Sequence, residues 1–219
     1  MSLRALSFLR IALAGTFLLL LLSCEAELNV QAYGEDGAKI AFKMNVSQRM
    51  LNIARELSGS DDFEIFSESE IERAFKSAKT AGKEDGSIEA FSVSVKDGGV
   101  EASASVKTLA SFDSIIKVER TANSLTLKMR PSEAKNIYTA ENSDYLDLLM
   151  IPTITNEVLS ADEYNSLLSA IYGPSFASEI TDGAIKINLL SPDGKSLSVS
   201  LTSGDVLTCL EEKTWTLTW

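Results

Sequence analysis

Cys24 and Cys209 are the only thiols among 219 residues, and there is no histidine to activate either. That absence removes Ser-His-Asp and Cys-His catalysis, along with every zinc or iron site that needs imidazole. Two cysteines are also too few ligands for a cysteine-only metal site. Carboxylates are plentiful: Asp61, Asp62, Glu64, Glu68, Glu70 and Glu72 crowd one stretch. Paired carboxylates can serve glycoside hydrolysis or hold hard cations. Here Glu68 and Glu70 open a helix, where negative charge complements the macrodipole. The others fall in a connection without EF-hand spacing, so the cluster reads as a solvated link. Asp97-Gly98-Gly99 and Asp193-Gly194 join strand to strand and lack the lysine and hydroxyl of a phosphate loop; they are hairpin turns. The chain reads as a non-enzyme that needs no cofactor.

Cys24 gains its meaning from what precedes it. Arg4 and Arg10 stand before a twelve-residue apolar run, Ile11 to Leu22, and no acid occurs before Glu25. As a helix that run spans roughly 18 Å, short of a hydrocarbon core of about 30 Å. This is the layout of an export signal. Leu21-Leu22-Ser23-Cys24 then resembles the lipobox of bacterial lipoproteins. The resemblance implies a thioether-linked diacylglyceryl group on Cys24, cleavage that leaves Cys24 first, and acylation of its amine. Two or more buried acyl chains hold a protein stably on a bilayer. The alternatives are an uncleaved membrane anchor and an ordinary secretory signal with Cys24 incidental, though Glu25 and Glu27 crowd such a cut.

Removing residues 1–23 leaves 196 residues with eighteen bases and thirty-one acids, a formal charge of −13. Such a body has no electrostatic footprint for nucleic acid or for anionic headgroups. The membrane contact is therefore expected from the acyl chains. With Cys24 acylated no intramolecular disulfide exists, and a core of this size needs none. Cys209, in Val206-Leu207-Thr208-Cys209-Leu210, reads as a small buried residue.

The elements that would position these residues show in the alternation of apolar and polar side chains. Leu28, Val30 and Ala32 alternate with Asn29 and Gln31. After the turn Gly34-Glu35-Asp36-Gly37 come Ile40, Phe42, Met44 and Val46, which completes a hairpin. Further strands carry Phe91, Val93 and Val95; Val100, Ala102, Ala104 and Val106; and Leu125, Leu127 and Met129. The last ones carry Ile185, Ile187 and Leu189; Leu197, Val199 and Leu201; and Trp215, Leu217 and Trp219.

Capping boxes with hydrophobic staples mark helix starts at Ser67/Glu70 and Ser160/Glu163. Gly82 and Gly173-Pro174 are their expected stops. Ser47 opens another helix running to Gly59, and Asp144 to Ile151 a fourth, ended by Pro152. The pattern predicts an α+β fold of antiparallel sheet or sheets with helices packed on one face, in the order strands, helices, strands, helices, strands. Residues 24–219 form one domain, with a division into two lobes near residue 131 left open.

Tyr145-Leu146-Asp147-Leu148-Leu149-Met150-Ile151-Pro152, then Ser160-Ala161-Asp162-Glu163-Tyr164 and Tyr172-Gly173, resemble in succession a group of spirochaete, particularly treponemal, lipoproteins. Gly204-Asp205-Val206-Leu207-Thr208, the closing Thr218-Trp219 and the opening segment Leu28 to Leu57 share the likeness. It implies a cell type and supports the anchor, and it brings no catalytic residues.

Aromatic side chains offer the remaining chemistry. Phe66, Phe75, Tyr145, Tyr164 and Trp215 could line an apolar pocket between helices and sheet, or simply fill the core. Two functions follow. One is a lipid-anchored, extracytoplasmic, non-enzymatic module that binds another envelope protein. The other is a carrier for a lipid or other apolar ligand.

Overall fold

The computed structural model of the chain describes residues 25–58, 88–96, 99–107, 116–130, 149 and 151–219. Among the described residues the fold is mixed α+β, with a six-stranded sheet, a three-stranded sheet and five helices. The strands are β1 (Glu25–Tyr33), β2 (Gly37–Asn45), β3 (Ile88–Lys96), β4 (Gly99–Val106), β5 (Ile116–Thr121), β6 (Ser124–Met129), β7 (Ala184–Leu190), β8 (Ser196–Thr202) and β9 (Lys213–Thr218). The helices are α1 (Gln48–Ser58), α2 (Pro152–Thr155), α3 (Ala161–Tyr172), α4 (Pro174–Thr181) and α5 (Ser203–Leu207). The helix expected over residues 67–82 lies outside the described residues.

The larger sheet has the order β3-β4-β2-β1-β7-β8, and the smaller one β5-β6-β9. All neighbours are antiparallel except β1 and β7, which run parallel with Glu25 opposite Ala184. That pair corrects the expectation of purely antiparallel sheet. Alternation reports that one face is wet, and it says nothing of strand direction. Both sheets join strands from the two sides of residue 131.

Register explains why the alternation is so clean. Ala26, Leu28, Val30 and Ala32 of β1 lie opposite Met44, Phe42, Ile40 and Ala38 of β2. Those in turn meet Val100, Ala102, Ala104 and Val106 of β4, and Ile185, Ile187 and Leu189 of β7 follow on the other side. Leu201, Val199 and Leu197 continue the face onto β8, and Val95, Val93 and Phe91 onto β3. A one-residue slip would turn every one of these to the other face, so burial fixes the register. The core takes this face together with Leu125, Leu127 and Met129 of β6 and Tyr164, Leu168, Phe176 and Ile180 of the helices. Gly37, at the start of β2, leaves no room for a side chain: a Cβ there would collide with the Val106 carbonyl oxygen.

Local chemistry sets the helix ends. Ser47 Oγ accepts from the Met50 N–H to open α1 and donates to Glu179 Oε2 of α4 at 2.7 Å. The Ser160–Glu163 capping box of α3 is complete, as expected. Gly173 ends α3 and at once caps α4, because Pro174 stands at its first turn, where a missing N–H costs nothing. Gly173-Pro174 thus stops α3 as expected and in addition begins α4, so that it forms a corner between two helices. Pro152 likewise begins α2. Thr202 and Asp205 form a second capping box for α5.

An arginine helps to tie the smaller sheet to the larger. Arg120 of β5 shares the inward face of that sheet with Val118, by its pairing with Leu125. Its guanidinium donates to the carbonyl oxygens of Tyr33, Gly34 and Gly37, and so clamps the β1–β2 turn.

Candidate functional site

The other face of the six-stranded sheet is polar, and its residues fall into rows that cross all six strands. One row runs Ser92 (β3), Ser103 (β4), Ala41 (β2), Asn29 (β1), Asn188 (β7) and Ser198 (β8). It offers amides and hydroxyls without a charge. The adjacent row runs Ser94, Glu101, Lys43, Glu27, Lys186 and Ser200 in the same strand order. Its four central residues alternate in sign, and opposite charges facing one another across strands are favourable.

Hydrogen bonds order the uncharged row. Ser198 Oγ donates to Asn188 Oδ1 at 2.7 Å, and Asn188 Nδ2 donates to Asn29 Oδ1 at 2.9 Å and to Glu27 Oε1 at 3.0 Å. At the far side the Ser92 and Ser103 hydroxyls lie 2.8 Å apart. In the charged row the Lys43 ammonium stands 2.8 Å from the Glu101 carboxylate. Glu101 holds that ammonium above the ordinary lysine range, first by hydrogen bond and then by charge. Both side chains are more than half exposed, so the pair orders the surface and adds little stability.

Two open depressions of about 290 and 360 Å³ lie on this face and share Asn29, Ala41 and Ser103. Ala41 is the small residue of the central row, and Lys39 and Gln31 flank one depression as Lys43, Glu27 and Glu101 flank the other. The two depressions adjoin along the strand direction at the Asn29, Ala41 and Ser103 level and together make a shallow trough over β1, β2, β3 and β4. Its donors and acceptors suit hydrogen bonding to a polar chain laid over the sheet.

The residues singled out from the sequence fall elsewhere. Leu21, Leu22, Ser23 and Cys24 lie outside the described residues, as do Phe66, Phe75 and Tyr145. Tyr164 is fully buried in α3, and its hydroxyl donates to the Leu149 carbonyl at 2.7 Å. Burial, more than the nearby Tyr172, raises its pKa well above the ordinary tyrosine range. Trp215 is half-buried on β9, opposite Leu127. Thr153 secures the same region, its buried hydroxyl 2.6 Å from the Leu207 carbonyl. Cys209 is buried, with its thiol 3.1 Å from the Glu211 carbonyl.

Among the described residues no three or more His, Cys, Asp or Glu gather as a metal site, and no helix is long and apolar enough to cross a membrane. Sequence reasoning set Asn29 and Gln31 opposite the apolar residues of the first strand but missed the rows, because rows exist only once register is known. The one local signal is the hairpin: two nine-residue strands and a three-residue turn set Asn29 against Ala41. No family model, no curated protein and no solved structure matches the chain.

Proposed function

We propose that the chain is a lipid-anchored protein of a bacterial envelope, held extracytoplasmically by acyl chains on Cys24, whose folded body binds another envelope protein without catalysing a reaction. The observation that carries this reading is the ordered polar face of the six-stranded sheet. Among the described residues the outward side chains around Asn29, Ala41 and Ser103 are solvent-exposed or part-exposed, which supports a partner's docking there. Alternating charge along Glu101, Lys43, Glu27 and Lys186 would set the partner's register, since charge complementarity contributes specificity more than raw affinity. The face is poor in the aromatic anchors that mark tight interfaces, so the complex should be weak and reversible. The lipobox resemblance at Leu21 to Cys24 supports the anchor, and the likeness to spirochaete lipoproteins supports the cell type.

Photo-reactive side chains placed at Ser103 and Ser200 in cells test the reading. Adducts to one discrete envelope protein are expected from both positions, and not from Val158, which is exposed in the loop before α3. Lys43→Glu, which breaks the sign alternation, should weaken them. Equal adducts from Val158, or none from the sheet, would sink the idea. Lipid co-purifying with the soluble body would instead favour the apolar carrier.

A further inference from the structure

We infer that the body has no tether: the end of the six-stranded sheet where β1 begins lies against the lipid headgroups, with the strands standing away from the membrane. The inference rests on the lipid-anchored reading of Cys24 and goes beyond it. Glu25, bonded directly to Cys24, is already paired on both sides, with Asn45 of β2 and with Ala184 of β7. Consecutive Cα atoms are about 3.8 Å apart, so no slack lies between the acylated residue and the rigid sheet.

The position of β1 turns this short link into an orientation. β1 is an interior strand, with three strands beyond it on one side and two on the other. At the level of Glu25 a single row crosses all six strands: Lys96, Gly99, Asn45, Glu25, Ala184 and Thr202. The end of the sheet is therefore flush and, at about 4.8 Å between strands, roughly 24 Å wide. An anchor near the middle of such an end resists rocking in the sheet plane, because either rotation drives a corner into the headgroups. Eight residues further on, about 26 Å at 3.3 Å per residue, the Tyr33–Gly37 turn and its Arg120 clamp point away from the lipid.

This end is suited to touching headgroups rather than entering the bilayer. Glu25, Asn45, Asp182, Ala184 and Thr202 are exposed there. Tyr33, an exposed large apolar side chain, lies at the opposite end of β1. The consequence reaches the candidate site. The charged row at Glu27 stands about 7 Å above Glu25, and the amide row at Asn29 about 13 Å, again at 3.3 Å per residue. A partner on the polar face must itself lie along the membrane surface.

Full-length, acylated protein in phosphatidylcholine vesicles containing a headgroup-labelled quencher lipid tests this. Fluorophores are attached at Asn45→Cys or Ala184→Cys near the proposed contact, and at Asp36→Cys or Pro192→Cys at the far end. Emission from the near pair should fall several-fold and from the far pair hardly at all. Inserting fifteen Gly/Ser residues between Cys24 and Glu25, a spacer of about 20 Å root-mean-square length, should keep the protein floating with the vesicles and restore the near emission. Equal quenching at both ends, or no response to the spacer, on vesicles that carry the protein overturns the inference alone. Failure of the unaltered protein to float overturns the anchor, and the inference with it.

Discussion

The two faces of the six-stranded sheet are built by the same strands in the same register, and they do different work. On one face every row is apolar, from Phe91 through Ile40 and Val30 to Leu197. On the other, neighbouring residues make rows of amides, hydroxyls and alternating charge. Stability resides in the first face, because burying apolar surface is worth about 25 cal/mol per Å² while an exposed ion pair contributes about 1 kcal/mol at most. The second face contributes little to folding, so its order is available for recognition.

Substitutions at adjacent residues test that contrast. The largest effect should come from Val30→Asp, which puts an unpaired carboxylate at a position only 1 % exposed in a central strand. The cost is on the order of 4 kcal/mol or more, enough to unfold a domain of ordinary stability. Asn29→Asp, one residue away, keeps an acceptor for Asn188 and should change stability by no more than about 1 kcal/mol. Urea unfolding measures both; similar losses would erase the distinction between the faces.

The next pair is Ile187 and Asn188. Ile187→Ala leaves a cavity in the core and should cost about 2–5 kcal/mol. Asn188→Ala removes three hydrogen bonds of the polar row yet should cost only about 1 kcal/mol, because water replaces the lost partners. Asn188→Ala should nonetheless weaken photo-cross-linking from Ser103. A stability loss matching that of Ile187→Ala would make the row a structural element rather than a recognition surface.

A polar contact off the sheet gives the smallest and most specific effect. The Ser160 backbone N–H, and after it the Ser160 hydroxyl, hold the Glu163 carboxyl below the usual carboxylate range. The folded state thus binds fewer protons than the unfolded one. The contribution is fully present above the unfolded pKa of about 4.3 and is lost as pH falls through the lower folded value. The stability gap between wild type and Glu163→Gln should therefore be widest near neutrality and close in acid. A gap that ignores pH would contradict the capping box.

The local parts of the fold were legible in the sequence. The β1–β2 hairpin, the strands with alternating residues and the Ser160 helix start all follow from spacing alone. β5 escaped because Arg120 occupies an inward position where an apolar residue would have revealed the strand, and its partners are carbonyls of a distant turn. α4 escaped because proline after glycine reads as a stop, although it serves equally well as a first helical residue. The parallel pairing of β1 with β7 joins residues some 160 positions apart, and no local pattern encodes it. Of the proposed aromatic pocket, the described residues place Tyr164 in the core and Trp215 half-buried on β9. The polar rows depend on six strands aligning at once, so they surface only in three dimensions.

The anchor remains the premise on which the orientation and the reach of the polar face depend. Metabolic labelling with tritiated palmitate, followed by separation of membrane and soluble fractions, tests it most directly. The account predicts label on the membrane-bound wild-type protein and none on a Cys24→Ser variant, which should leave the membrane after processing or stay as an unprocessed precursor. Label that enters neither protein, or both alike, would contradict it.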